Sequence, residues 1–214
     1  MPELQLEYPY LHLTVRDGQT VLAGDLPLVL DGAVIDQFQI EVIVLGGGPR
    51  IAIPIVRETG GRIPRISDRH VDADGAACLF VRDEYWFRHP SGMTISEFLR
   101  GPVTSYFVAQ HSFEAGCGWP YGERAHGDEG VVEFYGSLFD TRDVDIVRRL
   151  LELVTLKNIH GRWRCPCGSG RRINSCHGTA IRDLRSRVPR EVALASLAAL
   201  IAEATRLRNQ EIPL

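Results

Sequence analysis

The sequence predicts an α+β fold: an antiparallel strand meander, then helices, then a small Cys-rich appendage. Three observations predict it. Short β-type runs separated by Asp-Gly and Gly-Gly-Gly turns fill residues 8–56, capped runs of helical period fill the middle, and Cys and Gly crowd together after Lys157. This layout assigns residues 1–157 to one domain and residues 158–214 to a Cys/His knuckle with a C-terminal helix. With 214 residues, 44% of them apolar and 24% charged, the chain has the composition of a globular protein able to bury a core, and not of a disordered or fibrous one.

The expected strands are Tyr10–Val15, Val21–Leu30, Phe38–Val44 and Ile51–Ile53. Asp17-Gly18, Asp31-Gly32 and Gly46-Gly47-Gly48 punctuate them as turns. Thr94 is positioned to cap a helix running through Gln110, with a kink predicted at Gly101-Pro102. Thr141 is positioned to cap another, whose Val144, Val147, Leu150, Leu151 and Val154 share a face. A last helix, from about Pro189 to Arg208, carries a stripe of Leu194, Leu197, Ile201 and Ala204. That stripe packs on the main domain or docks a partner.

Residues 159–190 hold eight arginines (162, 164, 171, 172, 182, 185, 187 and 190) against the single Asp183, so this segment carries about +7 in a chain of net charge -3. Such a segment either meets phosphates or an acidic protein face, or is a solvated basic surface. There is neither a signal-peptide pattern at the start nor an apolar run long enough to span a bilayer, which predicts a cytoplasmic protein with no membrane role. The cysteines number five, and three fall within the twelve positions 165–176. Reduced thiols with separate jobs fit this spacing better than a disulfide framework.

The first candidate site is Cys78. It follows the Asp74-Gly75 turn, with His70 eight residues upstream. A thiolate is a good acyl carrier because its thioester stays reactive toward amines. If the turn folds the chain back, His70 becomes a candidate donor to the tetrahedral oxyanion, an interaction of about 3 kcal/mol in such sites. The residues alone leave a second reading open, in which Cys78 is a small core residue and His70 a surface loop residue. His126, with Asp128 and Glu129, lies in a Gly-flanked stretch expected to be a loop, where a titratable group could deprotonate or orient an attacking amine. The same types admit a cysteine hydrolase built from Cys78, His126 and Asp128, but no protease spacing supports it. Cys117, between Gly116 and Gly118, ranks behind Cys78 as a nucleophile because it lacks the upstream donor.

The run His70-Val71-x-x-x-Gly75-x-x-Cys78-Leu79, followed by Trp86 and a Thr94-led helix with Leu99, resembles the active-site stretch of ubiquitin-conjugating enzymes. The upstream strands, Pro54 and Pro64 agree, so the similarity covers roughly residues 8–157. In that family an Asn ending a His-Pro-Asn triplet stands eight residues before the catalytic cysteine. Here Asp68-Arg69-His70 occupies the place of the triplet. The resemblance implies a ubiquitin-conjugating-like fold in which Cys78 accepts the activated C-terminus of a protein as a thioester and passes it to an amine, with His70 and His126 assisting. Few residues precede the first strand, so the family's usual first helix is expected to be missing, which implies a reduced or different activation step. With Trp119-Pro120-Tyr121-Gly122-Glu123-Arg124-Ala125-His126-Gly127, the chain looks like the bacterial relatives encoded beside anti-phage signalling enzymes. By that analogy the carried protein is a cyclic-oligonucleotide synthase.

The second candidate site is Cys165-x-Cys167-x(8)-Cys176-His177. Four such ligands suit tetrahedral Zn²⁺, and with four protein ligands the ion would be structural. This run also resembles the zinc-binding tail of the bacterial preprotein translocase motor, which implies a docking module. Arg162, Arg164, Arg171 and Arg172 around it point to an acidic partner, whereas nucleic acid is disfavoured because only Trp163 is near enough to stack on bases. Two further readings compete with the transferase: a non-catalytic binder of a ubiquitin-like partner, and a zinc-dependent adaptor for nucleic acid or the ribosome.

Overall fold

The computed structural model describes residues 2–44, 53–120 and 127–210. The chain divides into two compact units, one of residues 1–80 and 92–123, the other of residues 81–91 and 124–214. This division differs from the boundary near 158 read from composition. The helices just before 158 share a core with the Cys/Gly segment after it.

In the first unit, strands β1 (Leu11–Arg16), β2 (Gln19–Leu30), β3 (Ala33–Val44) and β4 (Ile55–Glu58) form one antiparallel sheet in the order β1-β2-β3-β4. The meander arises from its turns. Asp17-Gly18 and Asp31-Gly32 each place two residues at positive φ, the backbone that two-residue hairpin turns demand. The expected strand Ile51–Ile53 lies partly outside the described residues, as do the Gly46–Gly48 punctuators.

Alternation on β3 buries Phe38, Ile40 and Val42 on one face. Against the sheet lies helix α4 (Thr104–Glu114), whose Phe107 ring is 4.9 Å from that of Phe38. The predicted Thr94 helix begins with a capping box to Glu97 and runs as α3 (Ile95–Phe98), but Gly101-Pro102 converts residues Leu99–Val103 into a π-helical turn before α4. Pro102 has no N–H to give, and the Thr104 hydroxyl donates to the Leu99 carbonyl at 2.8 Å. One element overturns expectation: Pro2–Glu7 form a short helix α1 ahead of β1. Its Glu7 carboxylate accepts from the Ser96 hydroxyl at 2.5 Å and from Arg100 Nε at 2.9 Å, which tie this short segment down.

The second unit is helical, comprising α2 (Arg82–Arg88), α5 (Gly127–Phe139), α6 (Val144–Thr155), α7 (Gly178–Arg187) and α8 (Arg190–Gln210). Asp143, rather than Thr141, caps α6, accepting from the N–H groups of Asp145 and Ile146 at 2.9 and 3.1 Å. Val147, Leu150, Leu151 and Val154 are buried as expected, but Val144 is exposed at the helix start. The expected stripe on α8 is rotated. Ala193, Ser196, Leu197 and Leu200 face inward, and Leu194 and Ile201 stay exposed. The reason is polar: the Ser196 hydroxyl donates at 2.6 Å to Asp83, a buried carboxylate that also accepts from the Tyr135 hydroxyl. This node joins α2, α5 and α8.

Burial raises the Asp83 pKa, and the two hydroxyl donors offset only part of that. The folded state therefore holds the proton at pH values where the unfolded chain has lost it. Stability from this group is complete below the ordinary carboxylate range and is lost as pH rises through the raised value. Urea denaturation across acidic pH is expected to show this decline, and Asp83→Asn should flatten it; identical slopes for both proteins would refute the assignment.

Candidate functional site

Residues 67–78 build the Cys78 site from a short 3-10 turn and a tight hairpin. Ser67–Arg69 form the turn, and His70 ends it in the left-handed region at φ 51°, donating its N–H to the Ser67 carbonyl at 2.7 Å. The chain then pairs with itself. Asp72 N–H donates to the Ala76 carbonyl and Cys78 N–H to the His70 carbonyl, both at 2.8 Å, on either side of the Val71–Ala77 bridge. The fold-back anticipated at Asp74-Gly75 is therefore present. Gly75 has φ +84°, and a Cβ there would stand 3.1 Å from Arg65 Nε, so the turn requires glycine. Asp74 accepts from the Ala76 N–H at 3.1 Å and from Arg57 at 3.1 Å, in that order the interactions that lower its pKa.

Helix α4 holds the entry to this hairpin. Tyr106 Oη and Gln110 Nε2 both donate to the Arg69 carbonyl, at 3.2 and 2.6 Å. The Arg69 side chain is buried and returns the contact, donating to Gln110 Oε1 and Glu114 Oε1 at 2.8 Å each, with its guanidinium 4.8 Å from the Phe113 ring centroid. Gln110 is four residues from Tyr106 and three and four from Phe113 and Glu114, so one side of the helix supplies all these contacts. Burial pushes the Tyr106 pKa well above its ordinary value, so its hydroxyl keeps its proton and remains a donor at neutral pH.

His70 and Cys78 therefore stand opposite each other, with the Cys78 thiol half-buried. The His70 ring meets Trp119 edge-on at 4.9 Å, and Trp119 packs against Phe113 at the same separation. Because the Cys78 N–H is committed to His70, it is not available to a substrate oxyanion. The donor must come from elsewhere.

The structure treats the remaining residues of the sequence reading differently. Trp86 is buried and falls among residues 81–91 of the second unit. Cys117 is exposed, its Sγ 3.9 Å from the Ala115 carbonyl. His126 lies outside the described residues, and Asp128 and Glu129 are in the first turn of α5, not in a loop. Arg69, Tyr106 and Gln110 were missed. Their signal was two polar residues spaced i and i+4 on an otherwise apolar helix face.

No protein-family profile, curated sequence or solved structure matches the chain.

In the second unit, the ligand atoms of Cys165, Cys167, Cys176 and His177 lie within 4.8 Å of one another and could hold a metal ion. Cys165 Sγ and Cys176 Sγ are 3.2 and 3.4 Å from His177 Nδ1, and Cys167 Sγ is 3.6 Å from Cys176 Sγ. An antiparallel bridge between Arg164 and Arg172, extended by a 2.8 Å bond from Cys165 N–H to the Arg171 carbonyl, brings the two arms of the loop together. His177 Nε2 is 3.0 Å from the Phe139 carbonyl. A carbonyl can only accept, so Nε2 carries the proton and the Nδ1 lone pair faces the thiols. Burial pushes the Cys165 thiol up to about 11, whereas Cys167 falls to about 6 because hydrogen bonds from Ser169, Cys165 and Cys176 outweigh its burial.

The arginine run separates into two groups. Arg185 donates to the carbonyls of Leu153, Val154, Leu156 and Lys157, and Arg190 donates to that of Thr155, so these two cap the C-terminus of α6. Arg187 donates to the Phe87 carbonyl and lies over its ring at 5.2 Å. Arg162, Arg164, Arg171 and Arg172 are exposed and form no ion pair among the described residues.

Gly75→Ala is expected to cost about 1–2 kcal/mol by forcing a side chain into the left-handed turn. Urea midpoints measure it, and an unchanged midpoint would show that the hairpin does not depend on this residue.

Proposed function

We propose that the chain is a cysteine-dependent acyl carrier with a ubiquitin-conjugating-like fold in its first unit and a structural zinc knuckle in its second. The observation that carries the catalytic reading is the braced hairpin, which opposes His70 to a half-buried Cys78. The thiolate of Cys78 attacks the activated C-terminal carbonyl of a protein, the activating group leaves, and a thioester forms. An amine then attacks that carbonyl. The oxyanion collapses, Cys78 departs as thiolate, the amine loses its proton, and an amide remains. His70 supplies the oxyanion donor through its ring, with the Trp119 contact limiting ring rotation. His126 is the proposed aid in orienting or deprotonating the amine, and the proposed cargo is a bacterial cyclic-oligonucleotide synthase in anti-phage defence.

The knuckle fits Zn²⁺. Ligands at ~2.3 Å (S) and ~2.0–2.1 Å (N) from a tetrahedral ion stand about 3.6–3.8 Å apart, close to the separations between these side chains. Cys165, Cys167, Cys176 and His177 would hold the ion, and its bonds would add folding free energy to a loop with little core of its own. Four protein ligands leave no position for a substrate.

A small protein carrying an intein-derived C-terminal thioester serves as the acyl donor. The chain should give an adduct on non-reducing electrophoresis that a thiol reagent removes. Cys78→Ala should abolish this adduct and Cys78→Ser should give at most a slower, thiol-resistant ester; conjugation unchanged in both variants would sink the transferase reading.

For the knuckle, metal analysis should find about one zinc per chain, and His177→Ala should release it readily to a chelator and lower the melting temperature. Wild-type protein stripped of metal that keeps its full melting temperature would show the site to be dispensable.

A further inference from the structure

The stretch from Lys157 to Arg182 holds six cationic side chains, Lys157, Arg162, Arg164, Arg171, Arg172 and Arg182, and neither Asp nor Glu. Arg162, Arg164, Arg171 and Arg172 are exposed and form no ion pair among the described residues. The Cys/His set does not cancel their charge, because three thiolates around a divalent ion return a net charge of only about -1.

The backbone fixes where these arginines stand. Ile173 N–H donates to the Trp163 carbonyl at 2.9 Å and Cys165 N–H to the Arg171 carbonyl at 2.8 Å, on either side of the bridge between Arg164 and Arg172. Arg164 and Arg172 are therefore the non-hydrogen-bonded pair of this short ladder, a pairing that brings Cα atoms to about 4.5 Å and sends both side chains out on one face. Like charges so placed repel, and an anion lying against both relieves them. Arg162 lies two residues from Arg164 on one arm, and Arg171 adjoins Arg172 on the other.

Two rings stand at the start of the first arm. Trp163 N–H donates to the His160 carbonyl at 2.9 Å, closing a turn, and Asn174 N–H ties that turn to the second arm through the Gly161 carbonyl at 3.1 Å. The His160 ring comes to 5.1 Å from that of Trp163, a second ring that sequence spacing did not reveal. Both side chains are exposed, Trp163 at 44%. An open indole beside unpaired guanidinium groups offers a stacking face for a base and paired donors for phosphate oxygens. An acidic peptide would use the arginines and leave the rings idle.

We propose that this face of the Cys/His knuckle binds single-stranded nucleic acid. One phosphodiester lies against Arg164 and Arg172, Arg162 and Arg171 meet its neighbours, and an unstacked base rests on Trp163. Single strands are preferred because the bases of a duplex are already stacked on one another. The interaction uses neither Cys78 nor His70, so it stands apart from the proposed acyl transfer.

Fluorescence anisotropy of the full chain with a short labelled oligouridine tests this. Affinity should fall with salt at a log–log slope of about -2 to -3, the value for three or four phosphate contacts to a single strand. Arg164→Gln with Arg172→Gln should weaken binding and make that slope shallower by about 1.4. Trp163→Ala should weaken binding about 10-fold at an unchanged slope, because stacking releases no ions, and Trp163→Phe should recover most of the loss. The substituted side chains are exposed, so every variant should keep wild-type circular dichroism and metal content. Wild type that fails to bind, a duplex of equal length bound as tightly, or Trp163→Ala binding like wild type would each overturn the proposal. Displacement of the oligouridine by polyglutamate at equal charge concentration would overturn it too, and would make the occupant an acidic protein.

Discussion

The Arg69 carbonyl is the point on which the Cys78 site depends. It lies one residue before the left-handed turn at His70, and two donors from α4 hold it while the Arg69 side chain grips the same helix from the other side. Buried polar groups are costly unless bonded, so this reciprocal set of bonds is stable only when the loop and the helix meet in one arrangement. The direction of the chain at His70 follows from it, and hence the pairing of His70 with Cys78 across the hairpin. A thiol for acyl transfer needs this kind of fixed setting, because the donor and the developing oxyanion must meet without reorganisation.

The second unit relies on a similar economy of polar contacts. Arg185 and Arg190 close the carbonyl end of α6, Asp83 draws two hydroxyl groups inward, and His177 presents one ring nitrogen to three thiols because Phe139 takes the other. These contacts account for several residues that sequence alone marked only as charged. Once they are assigned, the arginines left without a partner among the described residues cluster beside the Cys/His set, and the functional question narrows to that face.

Local signals made much of this legible. The Asp-Gly turns, the strand through Phe38, Ile40 and Val42 and the cap at Thr94 each depend on residues close together in sequence and read correctly, and the Cys/His spacing does bring together four side chains that could hold a metal ion. The failures share a different cause. The face of α8 was misjudged because Ser196 is drawn inward by Asp83, more than a hundred positions away, and the α6 cap because Asp143 competes with Thr141 two residues earlier. The Arg69 clamp was missed for the same reason. Its partners lie on a helix some forty residues downstream, and no periodicity in the loop announces them. Polar contacts between distant segments leave little trace in local pattern, yet they decide which way a side chain faces.

The proposed acyl transfer depends on Cys78 being the sulfur that takes the acyl group. Peptide mapping by mass spectrometry, after brief exposure to an acyl donor at mildly acidic pH to preserve thioesters, tests this directly. The acyl mass is predicted on the peptide containing Cys78, and its loss on hydroxylamine treatment should leave that thiol unmodified. An acyl group found on Cys117 or on the knuckle cysteines, with Cys78 untouched, would contradict the account.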